Sequence, residues 1–184
     1  MSEYLDKNKE EELVIKAQKD YSAFDKLYEY YLPRIYGYIL SRVQNKEEAQ
    51  DITSQTFEKA MLGLKDFEAR DNIRFSSWLY RIAINNLTDY YRWAAKRKNA
   101  DISDYQNKLK DEKDNQAEDF ARKDEIIRNL EKISEEGRQI LELKFFQDLS
   151  NEEISEILGI SYSHLGVKIF RALKKLKEII KENE

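Results

Sequence analysis

Between residues 75 and 98 the stretch FSSWLYRIAINNLTDYYRWAAKRK brings cations, an amide and aromatic rings onto one side of a periodic segment. Arg81, Asn85, Tyr91, Arg92, Lys96, Arg97 and Lys98 share that side. Cations neutralise phosphates, and aromatic rings stack on unpaired bases for roughly 1–3 kcal/mol each. The chemistry on offer is nucleic-acid binding. A solvated basic helix end is the other reading of the same residues.

A second constellation lies near the C-terminus. Ser150, with Glu153 three residues on, has the form of a capping box opening a helix. Ser155, Gly159 and Leu165 then have helix-turn-helix spacing: a small residue for a close crossing, a glycine for the turn, an apolar residue to lock the second helix. Ser161 caps that second helix, whose buried face is read as Leu165, Ile169, Leu173 and Leu176. Tyr162, Ser163, His164 and Lys168 point outward at its start, where such a helix enters the major groove. Arg171, Lys174 and Lys175, with Lys177 and Lys181, suit phosphates. A plain three-helix bundle with a basic tail is the alternative. His164 is the only histidine and there is no cysteine, so a metal site lacks ligands. The scattered carboxylates show no acid–base or metal constellation. The chain is therefore read as a non-enzyme without cofactors.

These groups must be held by helices. Hydrophobic residues make up 41% and charged residues 37% of the 184 residues, with one proline and five glycines. Such a chain is all-α with a heavily charged surface. The net charge of −4 argues against a generic nucleic-acid binder, yet basic residues cluster at Arg92 to Lys98 and Lys168 to Lys181. Local basic faces on an acidic protein suggest DNA contact conditional on a partner. The N-terminus MSEYLDKNKEEE is too polar for a secretory signal, and no apolar run predicts a membrane span. The expected location is cytoplasmic, which the lack of cysteine fits.

In chain order, Leu13, Val14 and Ala17 mark a first helix. Ala23, Phe24, Leu27, Tyr28 and Tyr31 continue, and Pro33 is expected to kink the helix or start a new one carrying Ile35, Ile39 and Val43. Tyr28, Tyr30, Tyr31, Tyr36 and Tyr38 read as half-buried packing groups. Asn45 caps the next helix, from Lys46 to Leu64, with the stripe Ala49, Ile52, Thr53, Thr56, Phe57, Ala60, Met61 and Leu64. Lys65 to Arg74, preceded by Gly63, is read as a loop. The Phe75 segment buries Phe75, Trp78, Leu79, Ile82, Ala83, Leu87 and Tyr90. From Asn99 to Asp124 the period fails, which predicts a flexible, net-acidic linker. Ile126, Ile127, Leu130 and Ile133, a turn through Gly137, then Ile140, Leu141, Leu143 and Phe145 begin a second domain. The architecture is two small helical domains, 1–98 and 125–184, joined by the flexible linker 99–124: a helical bundle and a helix-turn-helix domain.

Taken together, AFDKLYEYYLPRIYGYI, EEAQDITSQTFEKA, FSSWLYRIAINNLTDYYR and DLSNEEISEILGISYSHLGVKIFRALKKL resemble the extracytoplasmic-function class of sigma-70 family bacterial sigma factors, from about Ala23 to Ile179. The resemblance implies a transcription initiation factor that binds core RNA polymerase and directs it to promoters. It implies polymerase contacts on the Lys46 helix at Asp51, Ser54, Gln55 and Glu58. It implies capture of the melted −10 strand by Phe67, Asn72, Arg74, Trp78, Arg81, Asn85, Tyr91 and Arg92. It implies reading of the −35 duplex by Ser161, Tyr162, Ser163, His164, Lys168, Arg171, Lys174 and Lys175. An anti-sigma factor is a further implied partner. Two departures stand out. Ser54 and Gln55 replace a glutamine and a glutamate common in the family, which bears on polymerase docking, and Gly166 stands where a lysine is common. A stand-alone helix-turn-helix regulator, and a degenerate relative that only titrates polymerase or an anti-sigma factor, are the alternatives.

Overall fold

The computed structural model describes residues 5, 7–68, 74–100, 128–130, 132–147 and 149–182. Among them every long element is an α-helix: α1 (Lys7–Lys19), α2 (Phe24–Val43), α3 (Lys46–Gly63), α4 (Phe75–Ala100), α5 (Glu135–Phe145), α6 (Asn151–Leu158) and α7 (Tyr162–Glu182). The expected linker lies almost wholly outside the described residues, as do Ile126 and Ile127, although α4 runs on to Ala100.

Helix α2 buries Phe24, Leu27, Tyr31, Ile35, Tyr38 and Ile39, the three-and-four spacing of one face. It runs unbroken through Pro33, so the proline does not start a new helix. The face around it stays packed, and tertiary burial outweighs the lost backbone donor. Tyr31 and Tyr38 are fully buried rather than half-buried, whereas Tyr28 stays exposed. At the end of α2, Gln44 takes the left-handed conformation with φ 52°, and its N–H bonds to the Leu40 carbonyl. Asn45 then extends and caps α3, its side chain accepting from the Glu48 N–H at 3.1 Å. So short a turn makes α2 and α3 antiparallel neighbours.

The α3 stripe packs as its spacing predicts, except that Met61 is exposed. Thr53 and Thr56 fit an apolar face because their hydroxyls donate to carbonyls one turn back, at 2.6 and 2.7 Å. Gly63 closes α3 beneath the Trp78 ring, where a Cβ would sit 3.1 Å from the indole.

In the second unit Ser134 caps α5, accepting from the Gly137 N–H at 3.3 Å, so Gly137 lies inside the first helical turn rather than in a loop. A Cβ there would stand 3.2 Å from that of Ala172, which is how α5 and α7 come close. The capping box of α6 forms in both directions. Gly159 follows with φ 65°, a conformation glycine adopts without strain. Helix α7 buries Leu165, Ala172 and Ile179, with Ile169 and Leu176 partly covered. Leu173, expected inside, is 40% exposed, and Phe145 is 59% exposed. The expected stripe holds at Leu165, Ile169 and Leu176 and differs at one position, where α5 approaches over the small Ala172 rather than over Leu173.

Candidate nucleic-acid interface

Arg74, Trp78, Arg81, Asn85 and Arg92 follow one another at helical spacing and form a row along α4. The row starts just ahead of the first turn and ends in a basic terminus. Its base is the aromatic cluster beneath α4. Phe75 sits among Phe24, Tyr31, Phe67 and Trp78, with ring centroids 5.7 to 6.5 Å apart. Phe67 is buried in this cluster, 4.9 Å from Trp78, so its ring supports the row rather than facing solvent. Trp78 is partly covered, wedged between Phe67 and Gly63. Asn72 lies outside the described residues.

The start of α4 is anchored by a residue that the sequence did not single out. The carboxylate of Glu10, buried in α1, accepts from the Tyr31 hydroxyl at 2.5 Å, the Arg74 Nε at 2.9 Å and the Ser76 backbone N–H at 2.9 Å. It serves as a tertiary cap, with its negative charge at the helix N-terminus. Burial, with the Glu10 charge beside it, pushes the Tyr31 phenol far above its ordinary range. Burial works against the Arg74 charge, but Glu10 and Glu153 together outweigh it and the guanidinium pKa rises.

Further along α4, Asn85 and Arg92 are exposed, and Arg92 lies 3.4 Å from Asp89. The exposed Tyr91 donates its hydroxyl to the Arg42 carbonyl at 3.0 Å. Exposed Trp93 and Arg97, with the partly buried Tyr90 beside them, form a further aromatic-cation group, Arg97 lying 4.5 Å above the indole. Asn86, rather than Asn85, is the buried amide: it donates to Thr56 Oγ1 at 3.0 Å and accepts from Lys59 at 2.5 Å.

On α3, Asp51, Ser54, Gln55 and Glu58 are all exposed on the side away from the core. Asp51 and Gln55 also line a cavity of about 300 Å³ with Glu48, Asp89 and Trp93. This face is acidic and open, suited to a basic partner surface.

At the start of α7, Ser161, Tyr162, Ser163 and His164 are exposed. Ser161 caps the helix, its hydroxyl accepting from the His164 N–H at 3.3 Å. Arg171, Lys174 and Lys175 are exposed along the same helix. Lys168 is different: it is mostly covered and bonds Glu136 of α5 at 2.7 Å. Gly166 faces open space, so a longer side chain fits there.

A further set of groups joins the two helical units. Arg42, whose side chain is only 3% exposed, sits between Glu135 and Glu142 of α5, at 2.6 Å from Glu142. Burial opposes its charge, but Tyr38, Glu142 and Glu135 together raise its pKa. Tyr38 is pushed up to about 12, by burial first, against the opposing pull of Arg42. Nothing in the sequence marks Arg42 or Glu10. Each has the ordinary composition of a solvated helix face, and only the tertiary arrangement buries it.

The Sigma-70 region 2 family profile matches residues 27–97, and the Sigma-70 region 4 profile matches residues 123–176. The chain is 34% identical to RNA polymerase sigma factor YlaC of Bacillus subtilis (strain 168) over 163 residues, covering 87% of this chain and 93% of that protein. It is 26% identical to ECF RNA polymerase sigma factor SigM of the same organism, covering 84% of this chain and 93% of that protein. Among solved structures, the sigma factor RpoE of Bartonella quintana, in complex with the anti-sigma factor NepR, superposes with a TM-score of 0.71 at 19% identity, covering 88% of this chain and 98% of that one.

Proposed function

The chain belongs to the sigma-70 family of RNA polymerase sigma factors, in its extracytoplasmic-function class, and from that premise we propose how its surfaces divide the work. It is a non-enzymatic transcription initiation factor that binds core RNA polymerase and directs it to promoters. Residues 1–98 engage polymerase and the −10 element, residues 99–124 connect the two units, and residues 125–184 engage the −35 element. The α3 face of Asp51, Ser54, Gln55 and Glu58 docks on polymerase. The α4 row, with Tyr91 and Asn72, takes the unpaired −10 strand. Ser161 to His164 read the −35 major groove, and Arg171, Lys174 and Lys175 hold its phosphates, joined by Lys168 once it leaves Glu136. Tethering makes the second DNA contact intramolecular, which is how an acidic protein does DNA work.

The observation that carries this division is the α4 row itself. Arg74, Trp78, Arg81, Asn85 and Arg92 place cations, an indole and an amide on one line, the chemistry of single-strand capture. The α3 face of Asp51 and Glu58 is acidic where the row is basic.

Polymerase is cytoplasmic, so the protein works there. No described helix is long and apolar enough to cross a membrane. An anti-sigma factor is the proposed regulator, by likeness to RpoE in its complex with NepR.

The test is single-round transcription with core polymerase on fragmented DNA of the source organism, with and without the protein. Discrete new transcripts are the expected result. Polymerase binding without transcripts would instead identify a titrating relative, and tight duplex binding without polymerase a stand-alone regulator. The double change Asp51→Ala with Glu58→Ala is expected to weaken core binding roughly tenfold, about 1.4 kcal/mol, with the helical circular dichroism unchanged. Unaltered core binding would remove α3 from the docking surface. Gly166→Lys is expected to stabilise α7 by about 1 kcal/mol. It should also tighten −35 duplex binding, with a salt slope steeper by about one. A salt slope equal to that of the wild type would place Gly166 away from the DNA.

A further inference from the structure

Lys168, Arg171 and Lys175 recur along α7 at spacings of three and four, which puts them on one side of the helix, in line with His164. With Ser134, Gly137 and Ala172 they line a cavity of about 230 Å³ between α5 and α7. The cavity lies beside the first turn of α5, whose free backbone N–H groups add positive partial charge to that of the three cations. Arg171 and Lys175 are exposed, and Lys175 is held only loosely by Glu178, at 3.6 Å. Every one of these residues belongs to the second helical unit, and together they have the chemistry of an anion seat.

A carboxylate already sits there. Glu136 lines the same cavity, and both of its oxygens stand 2.7 Å from the Lys168 Nζ. The Lys168 side chain is 19% exposed and that of Glu136 58%, so the carboxylate lies outside the ammonium and an anion arriving from solvent meets it first. An ion pair this open to water adds little to stability. Nor is Glu136 needed to place a negative charge at the start of the helix, since Glu135 stands in the same turn. Its larger effect is electrostatic: it neutralises one of the three cations.

We propose that this cavity seats a backbone phosphate of the −35 duplex on Lys168, Arg171 and Lys175, and that Glu136 is the internal anion that holds the seat and limits −35 affinity. The two anions compete for one ammonium, so the phosphate enters as Glu136 turns out into solvent, which its exposure allows. A phosphate contact carries no sequence information. Glu136 therefore sets how tightly the −35 duplex is held without changing which bases Ser161 to His164 read. This rests on the reading of α7 as the −35 surface.

The test uses the full chain assembled with core polymerase, on a promoter fragment recovered by transcription and on the same fragment cut short of the −35 element. Glu136→Gln keeps the size of the side chain and removes its charge, and thermal unfolding checks that the fold is kept. The variant holoenzyme should hold the full fragment several-fold more tightly than wild type at about 50 mM salt. With one more cation free for the phosphate, the log–log salt slope should steepen by about one. The advantage should then shrink roughly threefold by about 200 mM salt. Adding Lys168→Gln should abolish the gain, and the cut fragment should show none. A gain that is absent, that survives Lys168→Gln or that persists on the cut fragment would overturn the proposal. Wild-type holoenzyme that binds the two fragments equally would overturn the −35 reading, and the seat with it.

Discussion

Glu10→Ala is expected to cost about 3–5 kcal/mol of stability, the range for removing one partner of a buried ion pair. The loss is large because one carboxylate serves three donors. The Tyr31 hydroxyl is left buried without its acceptor, the Ser76 N–H at the start of α4 loses its cap, and Arg74 loses its nearest counter-charge. Glu10→Gln keeps an acceptor and should lose less than half as much, since a neutral side chain still satisfies one or two of the donors. Chemical denaturation of the two variants against wild type measures both. A loss below about 1 kcal/mol for the alanine variant, the scale of one ordinary hydrogen bond, would mean that water replaces Glu10 and that the start of α4 is held by other contacts.

Phe75→Ala is expected to cost a similar amount, about 3–5 kcal/mol, through lost transfer energy and the cavity left behind. Phe75 is buried and touches four other rings, so the void cannot be closed by one neighbour shifting. The functional effect should exceed the loss of folded protein. Trp78 leans on Phe75 and Phe67, and without that floor the indole is no longer held in the row. Phe75→Leu refills most of the volume and should cost under about 1.5 kcal/mol. Thermal unfolding reads the first effect, and −10 strand capture by holoenzyme at a temperature where every variant is folded reads the second. Normal strand capture by folded Phe75→Ala would detach Trp78 from strand binding.

The local features were readable because they are written in neighbouring residues. Asn45, Ser150 and Ser161 cap the helices expected of them, and Gly159 takes the left-handed turn. The all-α class and the sigma-factor resemblance also followed from residues close in sequence. What was not readable depends on partners distant in the chain. Gly137 reads as a turn residue until α7 is seen lying against it. Leu173 fits the apolar period of α7 as well as Ala172 does, and only the approach of α5 decides between them. Phe67 has the composition of an exposed loop aromatic, and Glu10 that of a solvated acid, yet both are buried by long-range packing. Pro33 shows the converse: it lies exposed within α2, and the buried face opposite carries the helix through it, so no new helix starts there.

Glu153 carries two constraints on one codon. Its Oε2 accepts the Ser150 N–H at 2.8 Å and closes the cap of α6, while its Oε1 reaches across to Ser77. Glutamate or glutamine at this position completes the reciprocal cap. One side chain therefore ties the cap of the helix-turn-helix to the contact with α4, and a change there is felt at both. Ser76 and Ser77 are themselves buried, so packing resists larger side chains on the α4 side, whereas the part-exposed Glu156 varies more freely. Change across this contact is accordingly expected to accumulate at Glu156, with residue 153 as its fixed pivot.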